Sequence, residues 1–181
     1  MKISIIGAGY VGLVTGVCLS NKGNDVVCVD YDQDKIKSIN QGISPIYEEG
    51  LDKLLKNCIG KSFEVTSSIE YAIECSDVTF IAVGTPFHEG KINLDQIISA
   101  SEAVGACLKK KDTFHTVIIK STVVPGTTNN LVKNILEKTS KKKCNKEFGL
   151  GMNPEFLREG KAISDFMNPD RLVFGGSDKK V

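Results

Sequence analysis

Residues 2–30 constrain the fold more than any other stretch of the chain. Lys2-Ile3-Ser4-Ile5-Ile6 is a short apolar run of the kind that fills a buried parallel strand, and it passes directly into Gly7-Ala8-Gly9-Tyr10-Val11-Gly12. An amphipathic helical pattern follows, with Val11, Val14 and Leu19 beside the small Ala8, Gly16 and Cys18. A second apolar run, Val26-Val27-Cys28-Val29, ends at Asp30. Strand, G-x-G-x-x-G, helix, strand and terminal acid, in that order, form a βαβ unit suited to a dinucleotide.

Each part of that unit has its own chemistry. Gly7 permits the tight turn off the strand, Gly9 lets the backbone approach a pyrophosphate, and Gly12 lets the helix pack closely. The helix N-terminus offers unpaired N–H groups and the positive end of a dipole to the phosphates. Asp30 follows the last glycine by 18 residues, close to the roughly 20 at which an acid hydrogen-bonds a ribose hydroxyl. An acid there selects NAD, because a 2′-phosphate would be repelled. A plain glycine-rich turn is the competing reading, and it leaves Asp30 unexplained.

Composition narrows the class without naming a substrate. The 181 residues are 41% hydrophobic and 25% charged, which suits one domain with one sizeable core. A formal net charge of +1 gives no global field for nucleic acid or an anionic membrane, so an anionic ligand must be held by local groups. No apolar run approaches a membrane span, and Met1-Lys2 leads into a core strand without signal-peptide architecture, so the expected location is cytoplasmic. The cysteines Cys18, Cys28, Cys58, Cys75, Cys107 and Cys144 lack CxxC or zinc-ligand spacing and read as reduced, mostly buried thiols. With only His88 and His115 besides, no metal site is expected.

Further along, Asp32 is expected to cap a helix running to about Asn40, with Ile36 and Ile39 facing inward. Lys35 lies at its start, where it reaches either an adenosine ribose or solvent. Gly42 ends that helix, and Pro45-Ile46-Tyr47-Glu48-Glu49-Gly50-Leu51 connects to another helical pattern ending near Cys58. Such a connector is longer than a plain βαβ turn needs, and long loops in compact domains are often functional. Phe63–Thr66 reads as a strand, Ser67 and Ser68 cap a short helix, and Val78–Val83 is an apolar strand that stops at Gly84-Thr85-Pro86. After a polar loop over 87–91, Asn93 or Asp95 begins a long helix. The strand 115–119 ends at Lys120-Ser121-Thr122, a helix starts at Thr127 or Thr128, and 148–151 and 171–175 read as the last strands. The basic stretch 138–143 contains no aromatic residue to stack bases and reads as a solvated helix end. The alternation predicts an α/β fold, Rossmann-like and doubly wound, with a mostly parallel sheet and helices on both faces.

Open α/β sheets bind ligands at strand carboxyl ends, which brings Thr85, Thr122 and the segment after residue 152 to the edge that carries Gly7–Gly12. Asn153 suits an N-cap and Pro154 a first helical position, so a helix from Pro154 would present Glu155 and Glu159 on one face near its positive end. One carboxylate would then act as a general base or orient a water, or both would only complement the dipole; the residues alone leave both readings open. Thr122 holds a water or substrate hydroxyl, or serves turn chemistry. Arg158 and Arg171 pair with these acids, with ligand phosphate, or with other surface charges.

Taken together, Gly7-Ala8-Gly9-Tyr10-Val11-Gly12, the Pro45–Leu51 connector, Val83-Gly84-Thr85-Pro86, Ser121-Thr122-Val123-x-Pro125-Gly126-Thr127, Asn153-Pro154-Glu155-Phe156-Leu157-x-Glu159-Gly160 and Pro169-Asp170-Arg171 resemble, in order, the UDP-glucose/GDP-mannose dehydrogenase family. The resemblance implies a four-electron oxidation of a nucleotide sugar at its C6 alcohol, with two NAD consumed. A cysteine captures the aldehyde level as a thiohemiacetal, which is oxidised to a thioester and hydrolysed. It further implies that Gly7, Gly9, Tyr10, Val11, Gly12, Asp30, Lys35, Thr85, Thr122 and Glu159 contact NAD. Thr122 and Glu155 would order the hydrolytic water, and Glu155, Phe156, Leu157 and Arg158 would line the sugar site. UDP-glucose is the leading expectation for the sugar, with GDP-mannose or UDP-N-acetylmannosamine as alternatives, and a stand-alone NAD-binding sensor or scaffold as a reading of another class. The family's nucleophilic cysteine and its helpers belong to a later region joined by a long central helix, which these residues do not include. Residues 1–181 are thus expected to be the NAD-binding domain of a longer enzyme, monomeric and inactive alone, with the whole enzyme a homodimer.

Overall fold

A computed structural model of the chain describes residues 1–88, 90–176 and 178. Its first half comprises β1 (Lys2–Ile6), α1 (Tyr10–Asn21), β2 (Asp25–Val29), α2 (Gln33–Asn40), α3 (Leu51–Cys58), β3 (Phe63–Thr66), α4 (Ile69–Glu74) and β4 (Val78–Ile81). The second half comprises β5 (Phe87–His88), β6 (Lys91–Ile92), α5 (Asp95–Leu108), β7 (His115–Ile119), a π-helical turn (Thr127–Val132) continuous with α6 (Lys133–Ser140), β8 (Phe148–Met152), α7 (Ala162–Met167) and β9 (Gly175–Gly176).

The main sheet has the order β3-β2-β1-β4-β7-β8-β9. Every neighbouring pair is parallel except β8 and β9. This is a Rossmann-like doubly wound sheet, and its winding reverses between β1 and β4, opening a crevice at the carboxyl ends of those strands. Two apolar layers cover the sheet. On one face α1, α3 and α7, with Ile39 of α2, pack on Ile3, Ile5, Cys28 and Val65. On the other, α4, α5 and α6 pack on Ile6, Val117 and Ile119. Between strands, a buried polar row joins Ser76, Ser4, Thr79 and His115 at 2.7–2.9 Å. Burial, helped by the Lys111 charge, pulls the His115 imidazole down to about 4, so it is neutral near pH 7.

Local signals explain most of the boundaries. Asp32 caps α2 through Asp34 and Lys35 N–H groups, and Ser68 caps α4 through Tyr71 N–H, as the sequence predicts. Four expectations change. Helix α1 is not amphipathic: residues 12–18 are all buried, because α3 and α7 cover the side away from the sheet. Residues 87–88 and 91–92 form a small antiparallel hairpin instead of a loop; position 89 lies outside the described residues. The last strand is only Gly175–Gly176. The helix expected at Pro154 is absent, and the chain becomes helical only at Ala162. Of the cysteines, Cys18, Cys28 and Cys58 are buried, Cys107 and Cys144 half-buried and Cys75 exposed, all unpaired. Among the described residues no helix is long and apolar enough to cross a membrane.

Candidate dinucleotide site

The three glycines of the turn have different reasons for being glycine. Gly7 takes φ +104°, and a Cβ there would stand 2.8 Å from the Ala82 carbonyl oxygen. A Cβ on Gly12 would stand 1.8 Å from the Gly7 carbonyl oxygen. Both are therefore demanded by the packing of α1 and β4 against the turn. Gly9 is not: its φ of −76° and ψ of −167° suit any residue, and a Cβ would meet nothing within 4 Å. Gly9 caps α1 with no side-chain hydrogen bond to its free N–H groups. The result is a cradle of backbone donors at the positive end of a helix, which one added side chain would fill. These features fit a pyrophosphate.

A cleft of about 490 Å³ opens beside this cradle, lined by Gly7, Gly9, Asp30, Lys35, Val83 and Gly84 among others. Asp30 is buried at its edge. One carboxylate oxygen accepts from Ala8 N at 3.0 Å and Lys35 Nζ at 2.9 Å, and the other accepts from Asp32 N at 3.1 Å. Burial would raise the Asp30 carboxyl, but the bonds from Lys35, Asp32 and Ala8 outweigh it and hold the group below its usual range. A carboxylate offers roughly four acceptor positions, so Oδ1 can still accept from a ribose hydroxyl. Lys35, left open between ribose and solvent by the sequence, orients this carboxylate.

At the neighbouring strand ends, Thr85 Oγ1 donates to the Thr122 carbonyl oxygen at 2.8 Å, and Ser121 Oγ donates to the Val83 carbonyl oxygen at 2.7 Å. These bonds staple the carboxyl ends of β4 and β7 together. Thr85 is half-buried and Thr122 exposed, and neither lines the cleft. Val11 is half-buried and packs on the core beneath the cradle.

Glu155 and Glu159 do not share a helix face. Asn153, expected to cap, spends its side chain elsewhere: Oδ1 accepts from Lys120 Nζ at 2.9 Å, and Nδ2 donates to the Val173 carbonyl oxygen at 2.9 Å. Glu155 bonds its own local backbone at Leu157 N, which favours a turn over a helix. Glu155, Phe156, Leu157 and Arg158 instead line a second cavity, of about 750 Å³, with Lys120 and Thr15 at its floor. Glu159 is exposed and lines neither cavity. Arg158 pairs with Asp165 at 2.6 Å, while Arg171 stacks over the Phe156 ring at 4.5 Å. Among the described residues no cluster of three or more His, Cys, Asp or Glu could hold a metal.

Two residues in this region escaped the sequence reading. Glu48, in the connector, is buried. Lys120 ends an apolar strand, where a lysine ordinarily points to water, yet it is 5% exposed. Burial pulls its ammonium down from 10.5 to about 8, with the Glu155 charge acting the other way. Because the folded value lies below the unfolded one, the cost of burying the charge is fully present below about pH 8 and fades as pH rises toward 10.5. Lys120→Met should therefore gain stability over wild type at pH 7 that shrinks by about 2 kcal/mol at pH 10. Urea unfolding of both proteins at the two pH values checks this, and a pH-independent difference would remove the lowered ammonium.

The model of the UDP-glucose/GDP-mannose dehydrogenase family, NAD binding domain, matches residues 1–181. The chain is similar to a GDP-mannose 6-dehydrogenase of Pseudomonas syringae pv. tomato, 46% identical over 181 residues, covering 99% of this chain and 41% of that protein. It is 41% identical to a UDP-glucose 6-dehydrogenase of Haloferax volcanii over 182 residues, covering 100% of this chain and 42% of the relative. Among solved structures, a ternary complex of GDP-mannose dehydrogenase from Pseudomonas aeruginosa matches with a TM-score of 0.97 and 44% identity, over 99% of this chain and 42% of that one. A UDP-glucose dehydrogenase from Pyrobaculum islandicum matches with a TM-score of 0.93 and 38% identity, over 98% and 41%. The chain thus spans about two-fifths of the length of these relatives.

Proposed function

Since the chain belongs to the UDP-glucose/GDP-mannose dehydrogenase family, whose NAD binding domain it matches over residues 1–181, we propose that it holds the oxidant for a nucleotide-sugar 6-dehydrogenase. The observation that carries this reading is Gly9, a glycine for which the protein's own packing has no use. It stands at an uncapped helix start, with buried Asp30 accepting from Ala8 N in the same turn.

NAD, when bound, supplies the hydride acceptor. The chain's own groups do the rest. Gly7, Gly9, Tyr10, Val11 and Gly12 present backbone to the pyrophosphate, and Asp30, oriented by Lys35, takes the adenosine ribose. At the switch point the Thr85–Thr122 staple fixes the ends of β4 and β7, and Thr85, Thr122 and Glu159 would hold the nicotinamide half. Glu155 keeps one carboxylate oxygen occupied by Leu157 N and has the other to accept from a hydrolytic water, with Thr122 as its partner. Phe156, Leu157 and Arg158 line the space for the sugar.

The relatives named above act on GDP-mannose and on UDP-glucose. The proposed substrate is accordingly a hexose linked to UDP or GDP and oxidised at C6, with UDP-glucose to UDP-glucuronate one case and GDP-mannose the other. The purified chain should bind NAD and yield no NADH with either sugar nucleotide, since the reaction draws on a cysteine nucleophile outside these residues. Grafted in place of the matching segment of the Pseudomonas syringae enzyme, it should restore NADH formation from GDP-mannose. Turnover by the chain alone, or a folded but inactive graft, would overturn the proposal.

A further inference from the structure

The connector between α2 and α3 delivers one acidic side chain into the protein. Glu48 is 5% exposed, although its neighbours in the loop, Tyr47 and Glu49, are exposed. Its carboxylate accepts from three donors in two distant parts of the chain. Oε2 accepts from the Tyr10 hydroxyl at 2.5 Å and from Gly160 N at 2.9 Å, while Oε1 accepts from Ala162 N at 2.8 Å. Ala162 begins α7, whose own N-cap, Lys161, supplies no side-chain cap, so Glu48 does that work from 114 residues away. Tyr10 is the first residue of α1, and its hydroxyl also reaches the Arg158 carbonyl oxygen at 3.3 Å. Burial first, then the bond to Glu48, raises the Tyr10 phenol and keeps it a donor.

We infer that Glu48 is a positioning residue of the dinucleotide site, one buried carboxylate fixing both the first turn of α1 and the 158–162 segment that follows β8. The two tethered parts lie together on one face of the sheet, where α7 packs on α1. The first turn of α1 is the phosphate cradle, and the 158–162 segment beside it carries Glu159, which the proposed reading sets toward the nicotinamide. Without the tether α7 still packs on α1, but the 158–162 backbone is no longer held to the cradle through Glu48. A ligand spanning both should suffer, and a ligand confined to the adenosine half should not. The inference rests on the NAD reading of the site.

The test compares NAD with AMP on the purified chain by calorimetry. Glu48→Gln keeps the side-chain volume and turns an acceptor into a donor that faces Gly160 N and the Tyr10 hydroxyl. It should raise the Kd for NAD about tenfold while the Kd for AMP changes less than about twofold, and the Gly160 and Ala162 amides should lose protection from hydrogen exchange. Tyr10→Phe removes the hydroxyl alone and should weaken NAD about threefold, again without AMP, leaving Ala162 protected. Should Glu48→Gln fail to fold, the Tyr10→Phe ratio decides by itself. Equal weakening of both ligands, as general destabilisation would give, or unchanged NAD affinity in both variants overturns the assignment. A wild-type chain that binds neither ligand overturns the NAD reading together with it.

Discussion

Gly9→Val is expected to reduce NAD affinity at least on the order of 100-fold while leaving the chain folded. The two halves of that expectation come from different observations. Valine is tolerated by the protein because the backbone at position 9 is extended, a conformation β-branched residues favour, and because its Cβ would meet no atom within 4 Å. The loss of glycine at an N-cap should cost at most about 1 kcal/mol. Valine is not tolerated by the ligand, since the same empty space is where a pyrophosphate must approach the N–H groups of α1. Thermal unfolding and calorimetric titration of one preparation separate the two. Retained affinity would mean that the dinucleotide lies elsewhere, and a collapsed fold would mean that the open space is filled in solution.

Much of this was legible in residues 2–30, for a physical reason. Parallel strands buried on both faces read as unbroken apolar runs, and helices with Asp32 or Ser68 at their starts announce themselves locally. The place of Asp30 at the end of β2 was legible in the sequence, although its bonds to Ala8 and Lys35 were not. The segment 153–160 misled for the converse reason. Asn-Pro-Glu is a helix-start signal, but its side chains are claimed by partners remote in sequence: Lys120, 33 residues back, and Val173, 20 residues on. No local pattern encodes such competition. The burial of residues 12–18 in α1 was hidden in the same way, because the helices that cover its outer side, α3 and α7, are remote in sequence. Lys120 and Glu48 were passed over because a charged residue in a loop or at a strand end normally reports solvent, and only the fold shows otherwise.

Gly12→Ala should do the reverse of Gly9→Val, with the damage in the fold. The added methyl would stand 1.8 Å from the Gly7 carbonyl oxygen and 3.0 Å from its carbon, both backbone atoms. Relief would require Gly7 or α1 to move, and neither is free. Gly7 donates its N–H to the Val29 carbonyl oxygen at 2.8 Å and already approaches the Ala82 carbonyl so closely that it can carry no Cβ of its own. Helix α1 is wedged between the sheet and α3 and α7. Overpacking against side chains typically costs about 1–3 kcal/mol because side chains rotate away. Against locked backbone the cost should be about 3 kcal/mol or more, a large share of the 5–15 kcal/mol typical of a domain. Urea unfolding of Gly12→Ala beside Gly9→Ala measures it, with Gly9→Ala expected within about 1 kcal/mol of wild type. If both variants unfold at the wild-type midpoint, the close approach of α1 to the turn is wrong, and with it the placing of the phosphate cradle. If only Gly12→Ala is destabilised, two glycines three residues apart are kept for different causes, one by the protein and the other by its ligand.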